Sequence, residues 1–394
     1  MSHVRRIPNG RWEARYRGSD ARERSKRFST KREAVQFLER IGTDQQRGEW
    51  RDPGHARIRL DDWVKEWWAT TVNLRPSSRA RDDCYLRNHV LPVFGTTALG
   101  RITQLDVRAW VADLAASGRA PATVHKAYQT LSKVLRAAVD GGLIAQSPCR
   151  SVQLPKIETE EMRFLTPTDI ARLAASMTDR YEAMVVFDAY CGLRLGELAG
   201  LRRGRVDLIR RQVRVIETAV EVQGAVLFNA PKTRAGNRTV PIPPSVADRL
   251  ADHLESFSQT GPDGLVFPGP DGGALRANGF RARHWGPAVR AAGLQPLRPH
   301  DLRHTAVALW IAAGASPKQI ATWAGHTSVA VVLDRYGHLL PGHDDDVLAR
   351  LDALAMSPPP TTVDPLGPVP HENSAGFSRG AGRPSRRVKE SHPL

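Results

Sequence analysis

The sequence predicts a mainly α protein with small antiparallel β elements, and three observations carry that expectation. Apolar residues recur at helical spacing from Leu60 to Val139 and again from Pro244 to Ala355. Strand-like alternation is confined to short stretches near the N-terminus and around residues 211–242. The 394 residues, 41% hydrophobic and 25% charged, suffice for two or three domains with separate cores. No apolar run reaches the roughly 18–20 residues a membrane helix needs, and the Arg-rich N-terminus lacks a signal-peptide apolar stretch. Cys84, Cys149 and Cys191 are far apart and odd in number, which excludes a disulfide framework and a Cys-based zinc site. A cytoplasmic protein without a membrane partner is expected.

Residues 1–55 read as a basic strand–helix module. Arg11 to Arg17 alternates charged with aromatic or small residues, Gly18-Ser19-Asp20 resembles a turn, and a second basic strand runs through Arg27-Phe28. Ser29 and Thr30 open a helix from Lys31 to about Ile41 with Ala34, Phe37, Leu38 and Ile41 on one face. A basic ribbon can enter a DNA groove, so Arg15, Arg17 and Arg27 are candidate DNA contacts.

Residues 57–150 read as a helical bundle. Leu60, Trp63, Val64, Trp67 and Trp68 share a face, and helical spacing makes the tryptophans core rather than a stacking platform. A second helix is expected from Ser77 to about Val90. A third begins at Thr103, where Thr103 and Asp106 resemble a capping box, and a fourth starts at Pro121 and stops at Gly141-Gly142. Arg79, Arg81, Arg87, Lys126 and Lys133 are its candidate DNA contacts. A linker follows over 145–163, then a larger region, 160–355, opened by the cap Thr166-Pro167-Thr168-Asp169. Its β segments are 211–215, 225–228 and 238–242. Residues 356–394, with Pro358-Pro359-Pro360 and scattered Gly and Ser, read as a disordered tail.

The net charge of +16 and a pI near 10.4 point to a polyanionic partner. Residues 1–155 hold 28 Lys and Arg against 16 Asp and Glu, while 156–355 hold 24 against 22. The N-terminal part is therefore expected to grip phosphates. The nearly neutral region carries five islands of chemistry. Arg194 follows a glycine break with Glu197 one turn on, and Lys232 lies between two strands at an expected hairpin tip. His300 and Arg303 sit at i, i+3, His326 follows the helix-ending Gly325, and Tyr336 lies ten residues beyond it. Singly each reads as a salt bridge, a cap or a packed aromatic. Together they supply fixed positive charge, a nucleophile, a base and an acid, which is what phosphodiester cleavage requires.

At these residues the chain resembles the tyrosine recombinase (phage integrase) family. The resemblance covers the catalytic region with every family position filled: Arg194 with Glu197, Lys232, His300 with Arg303, His326 and Tyr336. It implies a mixed α+β catalytic domain, a helical core-binding bundle and an arm-type N-terminal module. It also implies DNA cleavage and rejoining without metal or other cofactor, with Tyr336 forming a 3′-phosphotyrosyl bond. Arg194 and Arg303 would grip the phosphate, His300 would be the base and Lys232 the general acid, His326 would bind the phosphate, and Glu197 would orient its neighbours. The implied partners are double-stranded DNA attachment sites, a homotetramer on DNA, and an accessory DNA-bending or directionality factor. An amphipathic helix through Val347, Leu348, Leu351 and Leu354 is expected to dock on a neighbouring protomer. The alternatives are a type IB topoisomerase-like religating enzyme and a DNA-binding regulator; the basic N-terminal module and the trans-docking helix favour integration of a phage or other mobile element.

Overall fold

Local capping chemistry sets the first helix. Thr30 accepts a hydrogen bond from the Glu33 amide while the Glu33 carboxylate accepts from the Thr30 amide, opening α1 (Lys31–Gln46). The helix runs past Ile41 because Gln45 Nε2 donates to the Arg17 carbonyl and ties the polar last turn to the sheet. That sheet has three antiparallel strands, β1 (His3–Arg6), β2 (Trp12–Arg17) and β3 (Glu23–Phe28), where the sequence suggested two. The extra edge strand, His-Val-Arg-Arg, has one apolar residue and too little alternation to read. Ala14 and Tyr16 face α1, where Tyr16 and Phe28 pack on Phe37. In this computed structural model residues 2–18, 21–47, 52, 54–158, 162–340 and 344–356 are described, so Ser19 and Asp20 of the expected turn and the expected tail beyond Met356 lie outside the described residues.

The second core gathers residues between Leu60 and Ile144 from α2 (Leu60–Thr70), the segment Leu86–Val90 that follows α3 (Pro76–Tyr85), α4 (Leu91–Phe94), α5 (Gln104–Ala116) and α6 (Pro121–Asp140), with Tyr85 of α3 packed against it. Trp67 is buried, and partly buried Trp63 donates its indole N–H to the Val134 carbonyl. The Thr103–Asp106 box and Pro121 start their helices as expected. Between α3 and α4 the backbone makes one wide turn, Leu91 N–H bonding the Leu86 carbonyl, immediately before Pro92. Proline lacks an N–H and crowds the carbonyl four residues back, and the wider turn relieves both.

The third core runs from Leu165 to Tyr336. α7 (Pro167–Ala175) begins at the Thr166–Asp169 box, and α8 (Asp179–Cys191) is buried on nearly every side. α9 (Leu195–Ala199) leads into β4 (Val206–Asp207), β5 (Gln212–Val215), β6 (Thr218–Val222), β7 (Ala225–Asn229) and β8 (Arg238–Pro241). These form two sheets, β4-β5-β8 and β6-β7. The β6-β7 hairpin turns on Gln223 and Gly224, both at positive φ, as a two-residue hairpin loop requires. α10 (Pro244–Ser256), α11 (Ala277–Phe280), α12 (Gly286–Ala291), α13 (Pro299–Ala312), α14 (Pro317–Ala324) and α15 (Ala330–Tyr336) complete the core, with a second wide turn at Arg281–Trp285 ahead of Pro287. Residues 341–394 form a separate unit, whose described part is α16 (Asp344–Met356) with exposed Leu348 and Leu351. No helix among the described residues is long and apolar enough to cross a membrane.

Candidate active site

α8 ends on Gly192 at φ +63°, where a Cβ would meet Trp310 at 2.9 Å and Ala306 at 3.0 Å. Only glycine takes that backbone this close to α13 without strain. The reversal delivers Arg194 to the N-cap of α9 with Glu197 at its third position. Glu197, 3% exposed, accepts from the Arg194 amide and from Nη1, both at 2.8 Å. Its two oxygens also accept from Arg238 Nη1 at 3.0 Å and Nη2 at 2.9 Å, a buried bidentate pair. Burial alone would raise the Glu197 pKa, but the Arg238 hydrogen bonds and charge, with help from Arg194, bring it down to about 2. Arg238 is locked in turn to the Trp323 carbonyl at 2.6 Å, while the outer part of Arg194 remains exposed.

Arg303, on α13, is 3% exposed. Nη1 donates to the Gly192 carbonyl at 2.6 Å and Nη2 to the Ala324 carbonyl, just before Gly325, itself left-handed at φ +64°. Both acceptors lie at helix C-termini, the negative ends of α8 and α14. Burial, then the charges of Arg194 and Arg238, lower the Arg303 pKa to about 10, so it stays cationic at neutral pH. Asp188, buried on α8, has Oδ1 without a hydrogen-bond partner among the described residues, and burial pushes its pKa well above the ordinary value.

His300 and His326 stand within the field of these arginines. Both are lowered to about 4, first by desolvation; His304, Arg303 and Arg194 add to this at His300, and Arg303 and Arg194 at His326. His300 is exposed, so water tempers its shift. Lys232 departs from expectation. It lies not at a hairpin tip but in the crossing from β7 to β8, two strands in different sheets, because β7 pairs with β6. Its exposed side chain lines a cleft of about 350 Å³ with Arg194, Glu197 and Arg75. Arg75, from the helical bundle, donates to the carbonyls of Ala230 and Pro231 at 3.3 and 3.2 Å and so holds the residues just before Lys232.

Tyr336 closes α15 and is 2% exposed. Its hydroxyl lies 2.6 Å from Nδ1 of His304, and its ring packs near Phe164. His304, Arg238 and Asp188 are not among the site residues expected from the sequence. His304 lies four residues from His300 on one helical face, and Arg238 alternates inward with Val240, so both carried a pattern signal. Asp188 showed only as an acid inside an apolar helix.

The Phage integrase family model matches residues 163–343, the Phage integrase, N-terminal domain model residues 2–47, and the Phage integrase, N-terminal SAM-like domain model residues 59–115. A protein of Mycobacterium tuberculosis named as the prophage phiRv2 integrase is 31% identical over 362 residues, covering 90% of this chain and 96% of that one. The chain belongs to the phage integrase family of tyrosine recombinases. The integrase of Mycobacterium phage L5 is 27% identical over 77% of this chain and 81% of its own. Among solved structures, the Tn1549 transposon integrase in complex with a circular intermediate DNA superposes with a TM-score of 0.64 at 18% identity, covering 75% of this chain and 99% of that chain. The lambda integrase dimer bound to a core site gives 0.55 at 15%, over 84% and 93%. The fold is the mixed α+β recombinase fold, and the protein is a site-specific DNA recombinase.

In this recombinase the candidate DNA contacts divide into occupied and open side chains. β-sheet register places Arg5, Arg15, Arg17 and Arg27 on the face opposite α1. Arg15 is held by Glu13 at 3.1 Å and Glu23 at 3.3 Å, whereas Arg17 and Arg27 are exposed and bond no side chain among the described residues. In the bundle, Arg79 lies 4.8 Å over the Trp68 ring, Arg81 and Lys133 both pair with buried Asp82, Arg87 pairs with Asp83, and Lys126 bonds Gln129. Among the described residues no group of three or more His, Cys, Asp or Glu could hold a metal ion.

Proposed function

We infer that this recombinase cuts and rejoins DNA at attachment sites of a phage or other mobile element, with Tyr336 as nucleophile. The carrying observation is the way Arg303 draws the site together: its guanidinium donates to the carbonyl of Gly192, two residues before Arg194, and to that of Ala324, two residues before His326, while His300 lies one turn away on α13. Two fixed guanidinium charges suit the extra negative charge of a phosphoryl-transfer transition state. The Tyr336 hydroxyl gives its proton to a histidine of α13 as Oη attacks phosphorus, and the P–O5′ bond breaks. The 5′-oxygen takes a proton from Lys232, leaving a 3′-phosphotyrosyl bond that a partner strand's 5′-hydroxyl reverses. His326 donates a hydrogen bond to the phosphate, and Glu197 fixes Arg194. No step calls for a metal or other cofactor.

The basic face of the N-terminal sheet and the bundle hold the duplex, Arg17 and Arg27 through phosphates. Exposed Leu348 and Leu351 on α16 suit docking on a neighbouring protomer in a DNA-bound homotetramer. An accessory DNA-bending or directionality factor is part of the same reading. The test is a nicked attachment-site duplex that traps the covalent complex. Tyr336→Phe should bind this DNA as wild type does and form no adduct on denaturing gels. Persistence of the adduct in that variant refutes the nucleophile. Deleting residues 343–394 should abolish cooperative assembly but spare single-site binding; unchanged assembly removes the docking role.

A further inference from the structure

Among the described residues the Tyr336 hydroxyl has one hydrogen-bond partner, Nδ1 of His304 at 2.6 Å. His304 is 7% exposed, one turn along α13 from His300, whose ring stands edge-on with centroids 4.8 Å apart. His300 makes no hydrogen bond to Tyr336 and faces solvent. We propose that His304, rather than His300, accepts the Tyr336 proton as the nucleophile forms, and that its hydrogen bond aims the hydroxyl beforehand. This rests on Tyr336 being the nucleophile.

The direction of the hydrogen bond follows from the surroundings. Burial holds Tyr336 above its ordinary value, against the pull of Arg303 and Arg335, so the hydroxyl keeps its proton at neutral pH. Burial also lowers the His304 pKa. Asp301 opposes this, while Arg335, Arg303 and Arg298 add to it. The charged and titratable groups facing His304 are thus Arg298, His300, Asp301 and Arg303 around α13 and Arg335 and Tyr336 on α15; Phe164, packed on Tyr336, is uncharged. A neutral imidazole has one lone-pair nitrogen, and with no other acceptor for the tyrosine among the described residues, O–H donates to Nδ1 while Nε2 carries the ring proton.

The step balances with groups already placed. The Oη proton passes to Nδ1, the Oη–P bond forms, the P–O5′ bond breaks, and the 5′-oxygen takes its proton from Lys232. The imidazolium so formed is favoured by the negative charge of Asp301. In the reverse step His304 returns the proton to the departing tyrosyl oxygen. Deprotonated His304 is the working form, so cleavage is full above its pKa and falls as pH drops through it, below the ordinary 6.5.

The test is single-turnover adduct formation by the full chain on the nicked duplex, across pH 4.5–8, using His304→Asn and His304→Ala. Asparagine keeps an acceptor where Nδ1 stands but takes no proton. It should slow adduct formation by on the order of 10²–10⁴-fold and erase the acid limb of the pH profile. His304→Ala should be equally slow and recover with added imidazole, a response that a merely structural loss does not give. With a 5′-bridging phosphorothiolate, whose sulfur leaves without a general acid, a Lys232→Ala control should regain its rate while His304→Asn stays slow. A His304→Asn rate within about threefold of wild type with the acid limb intact overturns the proposal; so does an acid limb erased only by His300→Gln, or failure of imidazole to rescue a folded His304→Ala. An adduct in Tyr336→Phe would instead overturn the nucleophile itself, which keeps the two failures apart.

Discussion

Arg238→Met deletes a buried cation and leaves Glu197 only Arg194, whose side chain is partly exposed, as a counter-ion. Glu197 is 3% exposed and Arg238 6%, so neither charge is relieved by water. Removing one partner of such a pair costs about 3–5 kcal/mol, since the bidentate partner is lost and Arg194 alone is left to compensate the buried carboxylate. The carboxylate gives an independent figure. Its value of about 2, against an ordinary 4.5, corresponds to about 3 kcal/mol at roughly 1.4 kcal/mol per tenfold change in proton affinity. Because the folded value lies below the unfolded one, this stability is fully present above 4.5 and drains away as pH falls toward 2. At about 2–4 °C per kcal/mol, the catalytic unit should melt on the order of 6–20 °C lower in Arg238→Met. Thermal and urea melts at pH 7, 5 and 3 check this, and the wild-type advantage should shrink by roughly half between pH 5 and pH 3. Glu197→Gln added to Arg238→Met should recover part of the loss, since the stranded charge is gone. A difference below about 1 kcal/mol at pH 7, or one that does not change with pH, would falsify the assignment of Glu197 as an ionised buried partner.

Gly192→Ala should cost about 1–2 kcal/mol for left-handed backbone and about 1–3 kcal/mol for the clash with Trp310 and Ala306. It also shifts the carbonyl that holds Arg303, so adduct formation should drop more steeply than stability predicts; melts and adduct rates measured together decide. Arg75→Ala removes both hydrogen bonds to the residues before Lys232. It should slow cleavage about tenfold with little change in phosphorothiolate cleavage, and amide exchange over residues 230–236 should quicken. Unchanged exchange there means Arg75 does not hold that segment.

What could be read from the sequence was mostly local. Thr103 with Asp106 and Thr166 with Asp169 cap their own helices, and Pro121 and Gly141-Gly142 delimit α6, because each signal acts within a turn of where it is written. The family positions were legible for a related reason, being short islands with fixed spacing. Lys232 was misplaced because strand partners are chosen at a distance: β7 could as well have paired with β8 until β6 and the Gln223-Gly224 turn claimed it. Arg238 and Glu197 lie 41 residues apart, and nothing near either says which cation the acid will meet. The same holds for Arg15, Arg81 and Lys133, where counting positive charge did not reveal the Glu13 and Asp82 that already hold them.

The crowding of charge around Glu197 reaches beyond catalysis. Three arginines, 194, 238 and 303, share one ionised carboxylate, since burial drives Asp188 toward its neutral form. Without DNA the pocket is electrostatically frustrated, its surplus cations tolerated only because helix ends and carbonyls pin them. On the proposed mechanism a scissile phosphate would supply the missing anion, so the substrate would complete the fold as well as undergo the reaction. Short duplexes carrying the site should therefore raise the melting temperature of the catalytic unit beyond what their affinity for the N-terminal parts contributes.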